Sequence, residues 1–262
     1  MSLMQTIAKP KDRPVMATFC GDSGMGKTSL AATFPNPIFI RAEDGLQAIP
    51  AASRPDAFPV LTTPGDLWDQ MIALLKEEHD YKTLVIDSVT ALERLFVKDV
   101  LESDPKAKSI NQALGGYGAG WSAVAAAHER VRRAATMLVE KRGMHVVFLA
   151  HADVETMRLP DQDDYMRYTL RLNQKSLPPY VDDVDVVGFI RLATMVKGDE
   201  GERKKAISTG ERELICYATA SNVSKNRFGI TEPIDMPNGE NPLAGIIPQI
   251  KQSPKAKKET TA

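Results

Sequence analysis

Residues 21 to 30 read GDSGMGKTSL and directly follow the apolar run Val15-Met16-Ala17-Thr18-Phe19-Cys20. Within them Gly21, Gly26, Lys27 and Thr28 satisfy G-x-x-x-x-G-K-[ST], the Walker A pattern, and the chemistry it implies is the binding of a phosphate chain. Glycines let the backbone curl so that successive N–H groups point inward, and the helix expected next adds the positive end of its dipole. The cradle predicted from the pattern is Gly21, Asp22, Ser23, Gly24, Met25, Gly26, Lys27, Thr28 and Ser29. Lys27 is placed to reach the β and γ phosphates, and Thr28 to offer its hydroxyl to Mg²⁺.

A second element, TLVIDS at 83 to 88, reads as a buried strand ending in a carboxylate. Strands often end in Asp for turn reasons alone. Paired with the phosphate loop, however, Asp87 reads as Walker B, the acid that holds a magnesium-bound water. No N-K-x-D or T-K-x-D occurs to read guanine, and Asp87 does not open a D-x-x-G switch, so ATP rather than GTP is the expected nucleotide. Asp87 is followed by Ser88, where the AAA+ group carries the Glu that activates water. A hydrolase must then find its general base elsewhere. The segment IFIRAEDGL, 38 to 46, leaves Glu43 and Asp44 at the carboxyl end of another strand, the edge where open α/β sheets bind ligands.

The elements that must position these residues follow from the rest of the chain. Its 262 residues, 43% hydrophobic and 26% charged, are enough to bury a substantial core. The formal net charge of −1 supplies no global field for nucleic acid or an anionic membrane, so any DNA contact must be local. Cys20 and Cys216 fit no metal spacing and read as buried free thiols. No apolar run of membrane-spanning length or signal-like start appears, which predicts a cytoplasmic protein without a membrane partner. Short apolar strands at 15–20, 37–41, 83–87 and 145–151 alternate with helical patterns, giving an α/β fold with a mostly parallel sheet. Helical spacing marks Leu67, Met71, Leu74 and Leu75, then Leu92, Phe96 and Val100, then a stripe from Trp121 to Glu140 that includes His128. Residues 185–195 and 211–218, joined by KGDEGERKK, read as antiparallel strands added in the last third. The predicted organisation is a flexible N-terminus at 1–13, one ATPase domain at 14–250, and a flexible basic tail at 251–262 carrying Lys251, Lys255, Lys257 and Lys258.

With IFIRAEDGL and VIDSVTAL in these places, the chain resembles the RecA-like P-loop ATPase core. In that family the acid after the second strand polarises the attacking water, which favours Glu43 over Asp44. The strand HVVFLAH, 145 to 151, resembles the one whose end senses the γ-phosphate, and His151 takes that position where RecA has an amide. SKNRFG, 224 to 229, resembles the K-N-R element through which Lys and Arg reach a neighbouring subunit's nucleotide, so Lys225 and Arg227 are implied to act in trans. An arginine supplied this way is worth about 10³ to 10⁵ in rate in well-studied NTPases.

RecA-like cores carry two mobile loops for DNA. GGYGAGW, 115 to 121, matches the first; Tyr117 is the implied base-stacking residue there, while Trp121 begins the apolar stripe. Residues 152–175 match the second and mix five acids with four bases, leaving Arg158, Arg167, Arg171 and Lys175 as implied DNA contacts without a strong net field. As an ordered set, GDSGMGKTSLAATFPNP, KTLVIDS, GGYGAGW, FLAHADVE, DYMRYTLRLNQK and SKNRFG are most similar to phage-encoded RecA-core ATPases linked to single-strand annealing recombination. That resemblance implies a Mg²⁺-dependent ATPase, working as a homo-oligomeric ring or filament that couples ATP to single-stranded DNA in a bacterial host cytoplasm. A single-strand DNA-binding protein is a further implied partner. Two other readings use the same loop: a nucleotide-gated loader or adaptor with little turnover, and a phosphotransferase acting on a small molecule.

Overall fold

The computed structural model describes residues 3–9, 11–197 and 205–251. Lys255, Lys257 and Lys258, and most of the charged connection KGDEGERKK, lie outside the described residues. Among the described residues, ten strands form one sheet: β1 (Met16–Gly21), β2 (Pro37–Arg41), β3 (Asp56–Ala57), β4 (Thr83–Asp87), β5 (His145–Met157), β6 (Tyr165–Leu170), β7 (Val186–Lys197), β8 (Lys205–Ile215), β9 (Lys225–Asn226) and β10 (Ile234–Asp235). Its order is β10-β8-β7-β1-β5-β4-β2-β3, with β6 paired to β5 and β9 to β7. The run from β7 to β3 is parallel; β6, β8, β9 and β10 join antiparallel to their neighbours. This is the expected mixed α/β architecture, a mostly parallel centre extended by antiparallel strands.

Parallel strands buried on both faces alternate between two cores. Ile38, Ile40, Leu84, Ile86, Val146 and Phe148 face one core, which is closed by α2 (Pro64–Lys76), α3 (Val89–Ser103) and α4 (Ala119–Met137). Leu67, Met71 and Leu74, then Leu92, Phe96 and Val100, then Val124, Val131 and Ala135 are the stripes those helices bury. Ala17, Phe19, Phe39, Val85, Val147 and Leu149 face the other core, closed by α1 (Lys27–Ala31) and the chain from Ile230 to Ile250. A short fifth helix, α5 (Pro178–Val181), buries Tyr180, whose hydroxyl meets His128 Nδ1 at 2.7 Å. His128 is thus a packed core residue. The helix starts are encoded locally: Thr63 and Asp66 form a capping box on α2, and the Ser88 hydroxyl accepts the Ala91 N–H at the head of α3.

Three boundaries differ from the sequence reading. β5 does not stop at His151 but continues to Met157 and pairs with β6, so the expected second loop is a β-hairpin. The β-formers Val154, Thr156, Tyr165, Tyr168 and Thr169 supply the reason, and Arg167 pairs with Glu155 across the strands at 2.6 Å. α4 ends at Met137, and a single π turn over Leu138–Arg142 leads to Gly143 at φ 62, which reverses the chain. β8 starts at Lys205, earlier than the apolar pattern shows.

At the amino edge of the sheet, Asp185 gathers distant parts of the chain. Its buried carboxylate accepts the Met16 N–H at 3.0 Å and pairs with Arg13 at 2.6 Å and Arg227 at 3.3 Å. Both arginines are half exposed and re-solvate easily, so the Met16 N–H is the group that suffers most from its loss. Asp185→Ala is expected to lower stability by about 1–3 kcal/mol, read as a lower urea midpoint at unchanged m-value.

Candidate functional site

The carboxyl ends of β1, β2 and β4 lie within two residues of one another along β5, because the ladder pairs Gly21 with His151, Arg41 with Asp87, and Asp87 with Leu149. The residues expected to handle phosphate and water therefore meet at one edge. Gly24 and Gly26 take left-handed φ of 80° and 87°, the conformation that turns the loop between β1 and α1. α1 is only five residues long, so the phosphate-binding capacity of the loop rests on its N–H groups and on Lys27 more than on a helix dipole. Lys27 is buried, and its ammonium donates to the Gly21 and Asp22 carbonyls at 2.9 and 2.8 Å. Burial holds its pKa below the usual lysine value, opposed by the nearby Asp87 and Glu43 carboxylates.

Thr28 Oγ1 donates to Asp87 Oδ2 at 2.9 Å. Burial pushes the Asp87 carboxyl up to about 6, against the opposing hydrogen bond from Thr28. Gly45 makes that closeness possible: a Cβ there would fall 3.0 Å from Asp87 Oδ2 and 3.2 Å from Thr28 Oγ1. A hydroxyl and a carboxylate side by side fit Mg²⁺, which binds through one or two protein oxygens and fills its shell with water and phosphate oxygens.

Glu43 stands over the same edge. Its backbone N–H donates to the Asp87 carbonyl at 3.2 Å, and its carboxylate meets His151 Nε2 at 2.9 Å and Arg94 Nη2 at 3.5 Å. The His151 hydrogen bond holds the Glu43 carboxyl down to about 2, with Ser88 and Arg94 acting in the same direction. Asp44 instead pairs with Arg41 at 3.0 Å. His151 is held in turn by its own N–H, which donates to Thr90 Oγ1 at 3.0 Å, and by its carbonyl, which accepts the Arg171 N–H at 2.8 Å.

The remaining expected residues sit elsewhere. Lys225 pairs with Val187, and its ammonium donates to the Asp182 carbonyl at 2.5 Å; Arg227 is on Asp185. Since Asp185 is in register with Met16, Arg227 lies about five residues, roughly 16 Å, from the phosphate loop of its own chain. Asn226 between them closes a turn, its amide bonding the Cys216 and Ile230 carbonyls and accepting the Phe228 and Ile230 N–H groups. Tyr117 is fully exposed, the fourth of five successive residues with positive φ, Leu114 to Gly118. Trp121 packs on the helical core and donates to Asn111 at 2.9 Å. Lys175 bonds the Gly118 carbonyl and Ser122 Oγ beside the Tyr117 loop, while Arg158 is paired with Asp164 and Arg167 with Glu155.

Arg94 and Gly45 carried no pattern of their own, although their offsets of seven residues from Asp87 and two from Glu43 place them about two helical turns and one short turn away. Arg212 had no local signal at all, and its guanidinium rests on the phosphate loop, with Nη1 donating to the Met25 carbonyl at 3.5 Å. Among the described residues no helix is long and apolar enough to cross a membrane, and both cysteines are buried and unbonded, with burial pushing each thiol up to about 12.

No curated protein matches the chain. A protein-family model described as an AAA domain matches residues 13–228, the span that holds both the phosphate loop and the strands opposite it. The chain accordingly belongs to the AAA domain family, whose members are built on a P-loop ATPase core.

Proposed function

We propose that the protein is a Mg²⁺-dependent ATPase that couples nucleotide state to single-stranded DNA in phage recombination or replication, acting as a homo-oligomer. The observation that carries the enzymatic part is the convergence of Lys27, the Thr28–Asp87 pair and Glu43 on one sheet edge. Thr28 and Asp87 are the residues to hold Mg²⁺, which supplies charge neutralisation on the phosphates. Lys27 leaves its own loop carbonyls for the β and γ oxygens. Glu43, ionised throughout the neutral range, orients and polarises the water that attacks the γ-phosphate, and His151 reports the γ-phosphate by exchanging Glu43 for it.

Coupling to DNA is supported by a continuous chain of contacts. The His151 carbonyl holds Arg171, the Asn173 N–H donates to Glu93 of α3, and Lys175 holds the Gly118 carbonyl next to Tyr117. An exposed aromatic in a glycine loop is suited to stacking on an unpaired base. Assembly is supported by the position of Lys225 and Arg227. From the amino edge they can reach only a second copy's carboxyl edge, which is a head-to-tail contact that builds a ring or filament. A low-turnover adaptor is the second reading, favoured by the Glu43–His151 bond, because a carboxylate held near 2 is a weak base.

The deciding measurement is ATPase rate with and without single-stranded DNA, alongside mass in Mg²⁺ and a non-hydrolysable ATP analogue. DNA-stimulated turnover with a mass increase supports the proposal; tight ATP binding with negligible turnover supports the adaptor. Lys27→Ala is expected to abolish nucleotide binding, and Glu43→Gln to bind ATP but turn it over at least about 100-fold more slowly.

The raised Asp87 pKa has its own signature. Burying the ionised form costs stability, so the nucleotide-free chain loses stability as pH rises from about 4 through about 6. Asp87→Asn should therefore raise the melting temperature above pH 6, by up to about 3 kcal/mol in unfolding free energy, while losing Mg²⁺-dependent nucleotide affinity. In the wild type that affinity should fall as pH drops below about 6, where Asp87 takes up a proton.

A further inference from the structure

We propose that Arg212 is a nucleotide-phosphate ligand supplied in cis by β8, held beside the phosphate loop by Asn238 until a nucleoside di- or triphosphate arrives. The inference rests on the reading of residues 21–29 as a phosphate loop and adds a cation which that pattern does not contain.

Arg212 is paired with Leu192 in the β7–β8 ladder, two residues beyond Ile190, which is level with Gly21 at the end of β1. The antiparallel hairpin therefore rises past the carboxyl edge, and Arg212 reaches back over it. Its Nη1 approaches the loop so closely that a Cβ built on Gly26 would fall 2.0 Å away. Gly26 thus serves two ends: it takes a left-handed φ, and its missing side chain admits the guanidinium.

The partners of Arg212 are neutral. Nη1 has the Met25 carbonyl at 3.5 Å, a long contact, and Nη2 has Asn238 Oδ1 at 2.5 Å. Glu213, its neighbour on the strand, is taken by Arg191 at 2.5 Å. Among the described residues no carboxylate forms an ion pair with Arg212. A guanidinium satisfied only by a carbonyl and an amide gains from exchanging one of them for a phosphate oxygen, the bidentate anion its planar fork fits. Lys27 shows the same state on the other side of the loop, parked on carbonyls.

The test is titration of the full chain with a fluorescent ATP and a fluorescent ADP in Mg²⁺. Arg212→Ala is expected to weaken both by about 10- to 100-fold, and Arg212→Lys to recover part of the loss. Asn238→Asp should trap the guanidinium in an ion pair and weaken binding in the wild type, yet have no further effect in the Arg212→Ala background. Affinity of Arg212→Ala within twofold of wild type, or tighter, overturns the proposal and leaves Arg212 as a packing residue or an occluder. If Arg212→Ala does not fold, Arg212→Lys and Asn238→Asp decide, and unchanged affinity in both overturns it. Wild-type affinity in Lys27→Ala would instead overturn the phosphate-loop reading on which this one stands.

Discussion

A carboxylate buried at the end of a central strand organises the carboxyl edge of this sheet. Asp87 has apolar β4 beneath it and neighbours on both sides, and burial pushes its carboxyl up to about 6. Such a group is costly unless something cationic completes it. The Thr28 hydroxyl does part of that, and the Asp87 carbonyl accepts both the Ala42 and Glu43 N–H groups, which ties the β2 exit to the β4 exit. One residue thereby positions both Thr28 and Glu43.

The same edge holds its charged groups in a closed arrangement. Lys27 sits on its own loop carbonyls, Glu43 on His151 and Arg94, and Arg212 on Met25 and Asn238. Each is bound to a partner weaker than, or different from, the one phosphate chemistry offers. Under the proposed function, a single polyanion would exchange several of these contacts together, and the His151 contact leads away through residues 171–175 to the Tyr117 loop.

The opposite edge is built on the reverse principle. Asp185 is a carboxylate whose needs are met inside the chain by Arg13, Arg227 and the Met16 N–H. Arg227 is thus engaged within its own chain, and a role in a neighbour's site requires that it exchange Asp185 for phosphate. Asn226 accounts for part of the K-N-R pattern in structural terms, since its amide holds the turn at 226–230.

Local sequence determined the glycine-rich loop after β1, the four core strands and the three long helices, because apolar period, glycine placement and cap residues act over a few positions. It failed where the deciding partner is remote. Residues 152–175 are expected to be a loop from the resemblance to RecA-like cores, yet the β-formers on either side of the turn find one another and extend β5. Glu43 and Asp44 are adjacent and chemically alike; only folding gave one to His151 and the other to Arg41. Arg212 is 186 positions from Gly26 in the sequence, and no window of residues links them. Backbone pairing across β1, β7 and β8 brings them together, and that registration is a property of the assembled sheet, not of any segment within it.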